Sequence, residues 1–253
     1  MLYPCWVKLH EATWQTADTF SRDGVVVIPT GSLEQHGPAL PLFTDSLIVT
    51  AVAERIESKL QDRVLLTPTL WLGASAHHLG FCGTLSASFS AYQLAIESVV
   101  ESLLGFGFHK FYLLNGHGGN TEPNAIVLRH LKQSHPEVTF AHRAYYDFAQ
   151  SCISETLTGP LKQMRHACEA EASLMLHLHP GLVQIELLRD DGLAPSPPIS
   201  GLVHHFDEIT EQGSFGFATL ANAEKGEKIF DAACSGLVSD LSALANGYVL
   251  RGL

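Results

Sequence analysis

Short apolar runs alternate with longer stretches of helical periodicity along most of the chain. Four runs rich in β-branched or aromatic residues predict strands: Val25–Pro29, Val64–Leu66, Phe111–Leu114 and Val138–Phe140. Apolar residues at helical spacing predict helices over Asp45–Leu60, Ala91–Leu104, Asn120–Leu131 and Glu169–Leu178, and a C-terminal helix within Ala221–Leu244. Strands that alternate with helices favour an α/β fold with a mostly parallel sheet and right-handed crossovers.

The segment Asp190–Phe217 interrupts this alternation because it is rich in Gly, Pro, Ser and His. We predict a long surface loop that closes a site or reaches a neighbouring subunit. No stretch of Pro, Ser or charge divides the remainder in two, so a single domain is expected over residues 1–253.

Composition narrows the possible partners. The 253 residues are 46% hydrophobic and only 16% charged, which leaves apolar surface for contacts between subunits. The formal charge of −11 argues against binding to nucleic acid, which requires clustered Lys and Arg. No stretch reaches roughly 18 consecutive apolar residues and the N-terminus does not resemble a signal peptide, so we expect a soluble cytoplasmic protein that does not enter a membrane.

The cysteines indicate neither a disulfide framework nor a structural zinc site. There are five, scattered along the chain and without a C-x-x-C pair: Cys5, Cys82, Cys152, Cys168 and Cys234. This usage fits a reducing compartment.

Candidate chemistry begins in the loop after the first strand, Gly31–Pro38. In an extended segment, residues i and i+2 point to the same side, so Glu34 and His36 can face one cavity while Gln35 is turned away. Asp45 stands where the next helix begins. Its carboxylate can either stabilise the helix start or bind a metal.

A second loop of the same kind follows the strand Phe111–Leu114. His117 stands in the sequence Asn-Gly-His-Gly-Gly-Asn, where glycines allow the backbone to approach a ligand closely. Both loops follow strands of a parallel sheet, and ligands bind beyond the carboxyl ends of such strands. We therefore interpret Glu34, His36, Asp45 and His117 as parts of one functional site.

A third cluster, His166–Glu171, leads into an apolar helix. Glu169 and Glu171 lie two residues apart and point about 200° apart on a helix, so they are expected to have different roles. One of them can bind metal while the other supports it. Alternatively, both simply stabilise the first helical turn through the helix dipole.

Together these motifs resemble the creatininase (creatinine amidohydrolase) family. The resemblance runs from about Val25 to Leu178 and rests on Gly31–Pro38 with Asp45, on Gly73–Ser86, on Asn115–Asn120 and on His166–Ser173. It implies a three-layer α/β/α sandwich with a mostly parallel central sheet. It also implies a homohexamer and two divalent metal ions per chain, with zinc favoured over manganese or iron.

The resemblance also assigns metal ligands. Glu34 and His117 would bind one ion, His36 would bind the other, and Asp45 would bridge them. Creatininase has a further ligand, a Glu two residues after the strand-end His, but this chain has Gly119 there. Glu169 is expected to supply the missing carboxylate, with Glu171 as an alternative.

The expected reaction is attack of a metal-bound hydroxide on an amide carbonyl. His166 would pass a proton to the leaving nitrogen, and Glu171 would orient His166 or the substrate. The substrate would contact Ser75 and the backbone amides of Gly118 and Gly119, which would stabilise the oxyanion.

The substrate is expected to be a small-molecule amide, cyclic amide or formamide, so the bond cleaved is a C–N bond other than an ordinary peptide bond. Creatinine itself is disfavoured, because the tryptophans that enclose it in creatininase have no counterpart near His166; the tryptophans here are Trp6, Trp14 and Trp71. Two alternatives stay open. One is a peptidase that trims a short precursor peptide, and the other is a catalytically silent metabolite-binding member, suggested by Gly119, His77 and Cys82.

Overall fold

A computed structural model of the protein describes residues 7–192 and 202–248. Cys5 and Trp6 lie outside the described residues, as does the stretch 193–201 in the middle of the predicted loop. In chain order the helices and strands are β1 (Val7–Lys8), α1 (Trp14–Asp18), β2 (Val25–Thr30), α2 (Thr44–Leu60), β3 (Val64–Leu66), α3 (Phe89–Gly105), β4 (Lys110–Asn115), α4 (Thr121–Ser134), β5 (Thr139–Ala144), α5 (Gln150–Thr156), α6 (Glu169–Leu178), β6 (Asp190–Asp191), β7 (Gly216–Phe217) and α7 (Ala223–Asn246).

The first five strands form one parallel sheet in the order β1-β3-β2-β4-β5. In the centre, Val27 of β2 lies opposite Tyr112 of β4, and Thr30 lies opposite Asn115. The predicted mostly parallel sheet is confirmed. The carboxyl ends of β2 and β4 therefore meet side by side at one edge, where the loops that follow them carry Glu34 and His117.

Alternating strand residues divide the interior into two cores. Val25 and Val27 of β2 face one side and pack with α2, α6 and α7, whereas Val26 and Ile28 face the other and pack with α3 and α4. All four valine and isoleucine side chains are at most 1% exposed. A parallel sheet covered on both faces requires such continuous apolar strands, and the result is the expected α/β/α sandwich.

The longest helix, α7, spans 24 residues and packs most closely against α6. Its buried residues, which include Ile229, Ala233 and Leu237, recur at helical spacing and leave a polar face outside. Among the described residues, no helix combines the length and the apolar character needed to cross a membrane.

All nine predicted helices and strands occur; β3 and α6 match their predicted bounds, and the boundaries of the others shift by at most four residues. The sequence pattern did not predict β1, α1 or α5, which have two, five and seven residues. Such short elements hold too few residues for a period of 2 or 3.6 to become visible.

The prediction of a surface loop over Asp190–Phe217 is partly wrong. Its two ends pair as the antiparallel strands β6 and β7. Within the described part, Thr210 and Ser214 are buried at 7% and 2% exposure. The segment packs against the protein because the Gly213 carbonyl accepts a hydrogen bond from Gln35 Nε2 at 2.9 Å and the Phe215 N–H donates to the His166 carbonyl at 2.7 Å.

The central strand β4 provides a test of this packing. Leu113→Ala removes a fully buried side chain from the core against α3 and α4 and should lower the free energy of unfolding by about 2–5 kcal/mol. Leu94→Ala on α3, where the side chain is 60% exposed, should cost less than about 0.5 kcal/mol. Urea unfolding followed by circular dichroism measures both, and equal losses would contradict the two-core arrangement.

Candidate metal centre

The loop after β2 brings Glu34 and His36 into the interior. Leu33 pairs with Leu85, and the Glu34 N–H donates to the Leu42 carbonyl at 2.9 Å, so the segment is held in extended form. Glu34 is 0% exposed and His36 is 1% exposed. Because they are two residues apart in an extended segment, both side chains reach the same cluster.

Asp45 lies in the first turn of α2, and its carboxylate faces the cluster. The N-cap residue of α2, Phe43, makes no side-chain capping bond. Asp45 Oδ2 accepts a hydrogen bond from Ser32 Oγ at 2.8 Å and lies 2.9 Å from His117 Nδ1, while Oδ1 lies 3.1 Å from His36 Nε2. This geometry favours the metal-binding interpretation over a purely helix-stabilising one.

His117 stands at the carboxyl end of β4 in a fixed orientation. Its Nε2 lies 3.2 Å from the Ala74 carbonyl and donates to it, so Nδ1 faces Asp45 and also Glu34 Oε1 at 3.3 Å. Asn115 holds the loop by accepting from the His117 N–H and donating to its carbonyl. A histidine whose second nitrogen donates to a carbonyl is oriented as metal-ligating histidines are.

Glu171 joins this cluster from the first turn of α6. One of its oxygens lies 3.8 Å from His36 Nε2 and accepts a hydrogen bond from the Ala167 N–H. Ala167 has φ of +46°, a left-handed conformation unusual for a residue with a side chain, and this bond helps to hold it. Glu171 has no hydrogen bond to His166, so the expected orienting contact between them is not observed.

The structure does not bring Glu169 to the cluster, contrary to the expectation that it supplies the missing ligand. Its carboxylate lies 2.6 Å from Lys225 Nζ and accepts hydrogen bonds from the Thr158 and Gly159 N–H groups at 2.8 and 2.9 Å. Both oxygens are thus already occupied. Because Glu169 and Glu171 point to different sides of α6, only one of them faces the site.

His166 borders the same cluster. Its Nε2 donates to the Gln35 carbonyl at 2.7 Å, which leaves Nδ1 facing Glu34 Oε1 at 3.6 Å. Burial and the charge on His36 lower the pKa of His166 to about 3. His166 is therefore a neutral imidazole with a free electron pair at Nδ1.

Ligand atoms converge in three overlapping groups. In each group one atom per residue lies within 4.8 Å of the others: Glu34 with Asp45 and His117, His36 with Asp45 and Glu171, and Glu34 with His36 and His166. Asp45 belongs to two of these groups and can bridge two neighbouring ions. A mixture of carboxylates and imidazoles suits zinc, manganese or iron.

Without an ion, the cluster balances its charges with protons. Burial opposes a charge on His36, but Asp45 and Glu171 outweigh it and raise the pKa of His36 to about 10. Glu34 and Asp45 likewise overcome burial and raise the pKa of His117 well above its usual value. Burial raises the pKa of the Glu171 carboxyl to about 8 despite the nearby His36.

A cavity of about 350 Å³ opens onto the cluster. Gly118 and Gly119, which the sequence predicts to contact a substrate, line this cavity. Ser75 does not meet that expectation, because it is fully buried and lies 3.4 Å from His117 Nε2, behind the imidazole. The remaining walls include Tyr146, Met164, Arg165, Phe206 and Phe215.

Steric crowding explains the glycine at position 119. A Cβ there would lie 2.4 Å from the Ala74 carbonyl oxygen and 2.6 Å from His117 Nε2. No side chain fits without moving this backbone, so a ligand from this position is excluded in the present loop conformation.

Sequence reasoning assigned no role to His78 or to the Gln35 side chain, although both support the site. His78 is 1% exposed, and its Nε2 lies 3.2 Å from Glu34 Oε1. Gln35 Nε2 donates to His78 Nδ1 at 2.8 Å, and Phe206 stacks on the His78 ring with centroids 4.0 Å apart. The His77-His78 pair was visible in the sequence, but its long-range partners were not.

Cys82 and the two described tryptophans lie away from this cavity. Cys82 is exposed, and Trp14 and Trp71 are 76% and 41% exposed. None of the three lines the cavity walls. Its aromatic residues are phenylalanines, tyrosine and histidines instead.

Comparison with known proteins identifies relatives over most of the chain. The profile of the Creatininase family, described as creatinine amidohydrolase, matches residues 10–241. The mycofactocin precursor peptide peptidase of Mycobacterium tuberculosis is 32% identical over 217 residues, covering 82% of this chain and 80% of that protein. The creatinine amidohydrolase of Pseudomonas putida is 27% identical over 249 residues, covering 91% of this chain and 94% of that protein.

Solved structures share the same architecture. A crystal structure of creatinine amidohydrolase superposes with a TM-score of 0.82 at 28% identity and covers 94% of this chain and 97% of that one. A Zn-Zn form of a creatininase mutant gives a TM-score of 0.81 at 27% identity and covers 93% of this chain and 96% of that one. A manganese creatininase gives a TM-score of 0.82 at 26% identity and covers 93% of this chain and 97% of that one.

The protonated histidines predict that metal binding releases protons. An ion must displace the protons on His36, His117 and Glu171, so apparent affinity should rise as pH rises, about tenfold per pH unit for each proton released. Calorimetric titration with zinc at pH 6.5 and 7.5 measures the change in affinity with pH. Repeating it in buffers of different ionisation enthalpy measures the number of protons released. His135→Asn, which alters a partly exposed histidine paired with Glu101, should leave them unchanged. Binding that depends on neither pH nor buffer would contradict this charge assignment.

Proposed function

Because this chain belongs to the creatininase family of hydrolases, we propose that it is a metal-dependent hydrolase that cleaves the C–N bond of an amide. The observation that carries the proposal is the convergence of carboxylates and imidazoles at one edge of the parallel sheet. Such an arrangement is costly for folding unless a cation balances it. Its position beside a cavity gives that cation access to a substrate.

We assign one metal position to Glu34, Asp45 and His117, and the other to His36, Asp45 and Glu171. The fit is supported by Glu34: both of its oxygens are buried, Oε2 has no hydrogen-bond partner among the described residues, and Oε1 meets only imidazole nitrogens at 3.2–3.6 Å. Two divalent ions, with zinc favoured over manganese or iron, would polarise a carbonyl and acidify a water molecule. The zinc and manganese forms of related structures support this choice of metals.

His166 is the proposed proton carrier. Its free Nδ1 can accept a proton inside the cavity and return it to the leaving nitrogen, while Nε2 stays bonded to the Gln35 carbonyl. The backbone amides of Gly118 and Gly119 line the cavity beside His117, and we assign them to the carbonyl oxygen as negative charge develops.

Glu171 argues against a catalytically silent role. The silent alternative was motivated by Gly119, which removes a ligand found in creatininase. Glu171 offers a carboxylate to the same cluster from α6, so the ligand number need not fall. We therefore prefer an active hydrolase.

The substrate proposed first is a small amide, cyclic amide or formamide. A cavity of about 350 Å³ lies near the lower end of sizes common for small-molecule sites. Creatinine is disfavoured because tryptophan does not contribute to the described cavity walls. The second candidate is a peptidase that trims a short peptide, which the 32% identity to the mycobacterial precursor peptide peptidase favours.

We further propose that a single domain spans the chain and assembles as a homohexamer in the cytoplasm. The family resemblance suggested the hexamer. Large apolar side chains on the surface support self-association; those at least 40% exposed from the end of β3 to the first residue of α3 are Trp71, Leu72, Leu79, Leu85 and Phe89.

Two neighbouring glutamates test the metal assignment. Glu171→Gln should remove close to one ion per chain, because an amide is a poor ligand, while leaving the fold intact. Glu169→Gln should retain both ions but lower thermal stability, since it leaves Lys225 buried without its anion. Elemental analysis and thermal unfolding of protein purified without chelator measure both outcomes.

These variants also serve as mutual controls, because each removes one carboxylate charge from the same helical turn. Loss of metal in Glu169→Gln together with full retention in Glu171→Gln would reverse the assignment. Absence of metal from the unmodified protein, even after zinc, manganese and iron are supplied, would favour the silent binding role instead.

Hydrolysis itself can be assayed on a panel of formamides, cyclic amides, creatinine and short peptides. Activity should disappear after chelation and return with a divalent ion. His166→Gln should lower kcat about 10²–10⁴-fold, since it removes the proton carrier. His130→Gln on α4 provides a matched control, and an equal loss there would contradict the role of His166. Turnover of peptides alone would select the peptidase.

A further inference from the structure

Arg165 stands in the wall of the site cavity, next to His166. The other ionisable residues lining this cavity are acids, imidazoles and Tyr146, so Arg165 supplies the permanent positive charge among the described wall residues. Arg165 therefore contributes a positively charged residue to the wall of the cavity that the candidate metal cluster also lines.

Two contacts hold the Arg165 side chain. Its guanidinium carbon lies 5.2 Å from the centre of the Phe215 ring. The Gln163 side-chain oxygen, with the amide in the orientation that satisfies its neighbours, accepts from Arg165 Nε at 3.1 Å and also from Nη2. These contacts restrain an otherwise flexible side chain before any ligand arrives.

Arg165 differs from comparable arginines in lacking an acid. Three other described arginines lie over phenylalanine rings, and each has an aspartate within 4 Å: Arg22 with Asp18 at 2.8 Å, Arg55 with Asp231 at 3.4 Å and Arg143 with Asp147 at 3.5 Å. Among the described residues, no carboxylate lies within 4 Å of the Arg165 guanidinium. Of the four described arginines that lie over phenylalanine rings, Arg165 is thus the one without a carboxylate partner, and its charge is available to a ligand.

The free part of the guanidinium defines the ligand. Gln163 occupies the edge formed by Nε and Nη2, so the edge formed by Nη1 and Nη2 remains available. Two parallel N–H groups on that edge match the two oxygens of a carboxylate. The backbone N–H groups of Gly118 and Gly119 in the same cavity are assigned above to the carbonyl oxygen, so the free edge of Arg165 is matched to a carboxylate rather than to a phosphate, which would draw on such N–H groups.

We propose that Arg165 binds a carboxylate of the substrate and thereby selects amides that carry one, such as N-acyl amino acids or the C-terminal end of a peptide. This inference rests on the proposed hydrolase function because it assigns the class of substrate to that same cavity. It makes Arg165 a residue that determines specificity. Hydrolysis itself is assigned to the metal cluster and His166.

The test compares probes that differ only in the carboxylate. N-formylglycine and N-acetyl-alanyl-alanine are paired with their carboxamides, and binding to the zinc-loaded protein is measured by calorimetry. The acid-to-amide preference is the affinity for each acid divided by the affinity for its carboxamide. Because a carboxylate can also bind zinc, the informative quantity is how this preference changes in Arg165→Gln. That preference should fall about tenfold or more, the effect expected for a lost charge-assisted bond. Arg165→Lys should retain part of it.

Arg143→Gln is the matched control, because it removes the same charge from an arginine over phenylalanine outside the cavity wall. It should keep the unmodified preference. An unchanged preference in Arg165→Gln, an equal fall in Arg143→Gln, or no binding of either acid by the metal-loaded protein would overturn the inference. Failure of the hydrolase proposal is seen separately, as lack of turnover or metal in the unmodified protein.

Discussion

Three carboxylates lie together in one buried cluster of this protein, and the rest of the site follows from the need to balance their charge. Glu34, Asp45 and Glu171 are 0%, 3% and 5% exposed. Burying even one ionised carboxylate costs several kcal/mol unless a positive charge accompanies it. In the absence of an ion, protons on His36 and His117 provide that charge, which is why the pKa of each is raised. In the proposed metal-bound enzyme, divalent ions would compete with these protons for the same ligand atoms.

The parallel sheet makes this concentration of charge possible. Since β2 and β4 are neighbours that run in the same direction, their loops leave the sheet at the same edge. Hydrogen bonds from uncharged side chains then fix the site: Ser32 holds Asp45, Asn115 holds the His117 loop, and Gln35 links His78 to Gly213. These contacts hold the groups together before a ligand binds, as a preorganised site requires.

The sequence predicted the parts of this arrangement that depend on local pattern. Glu34, His36, Asp45 and His117 lie in motifs next to strongly apolar strands, and the structure brings all four together. Two features depend on partners that are distant in the sequence, so the local pattern could not predict them. Lys225, 56 residues away in the sequence, binds the Glu169 carboxylate outside the site. In the described part of the segment after Asp190, Phe206 packs on the rings of His78 and His166. Composition alone could not reveal that such a polar segment is partly buried.

The two glutamates in the first turn of α6 have different partners, and one of them offers the cluster a carboxylate that position 119 cannot supply. A carboxylate cannot enter from that loop, because a Cβ would collide with the Ala74 carbonyl and with His117. The first turn of α6 points Glu171 to the cluster and Glu169 to Lys225 on α7. One turn of helix thus both supplies the acid and fixes the helix that presents it. The position of the last carboxylate therefore depends on packing between α6 and α7, which no motif of the loops encodes.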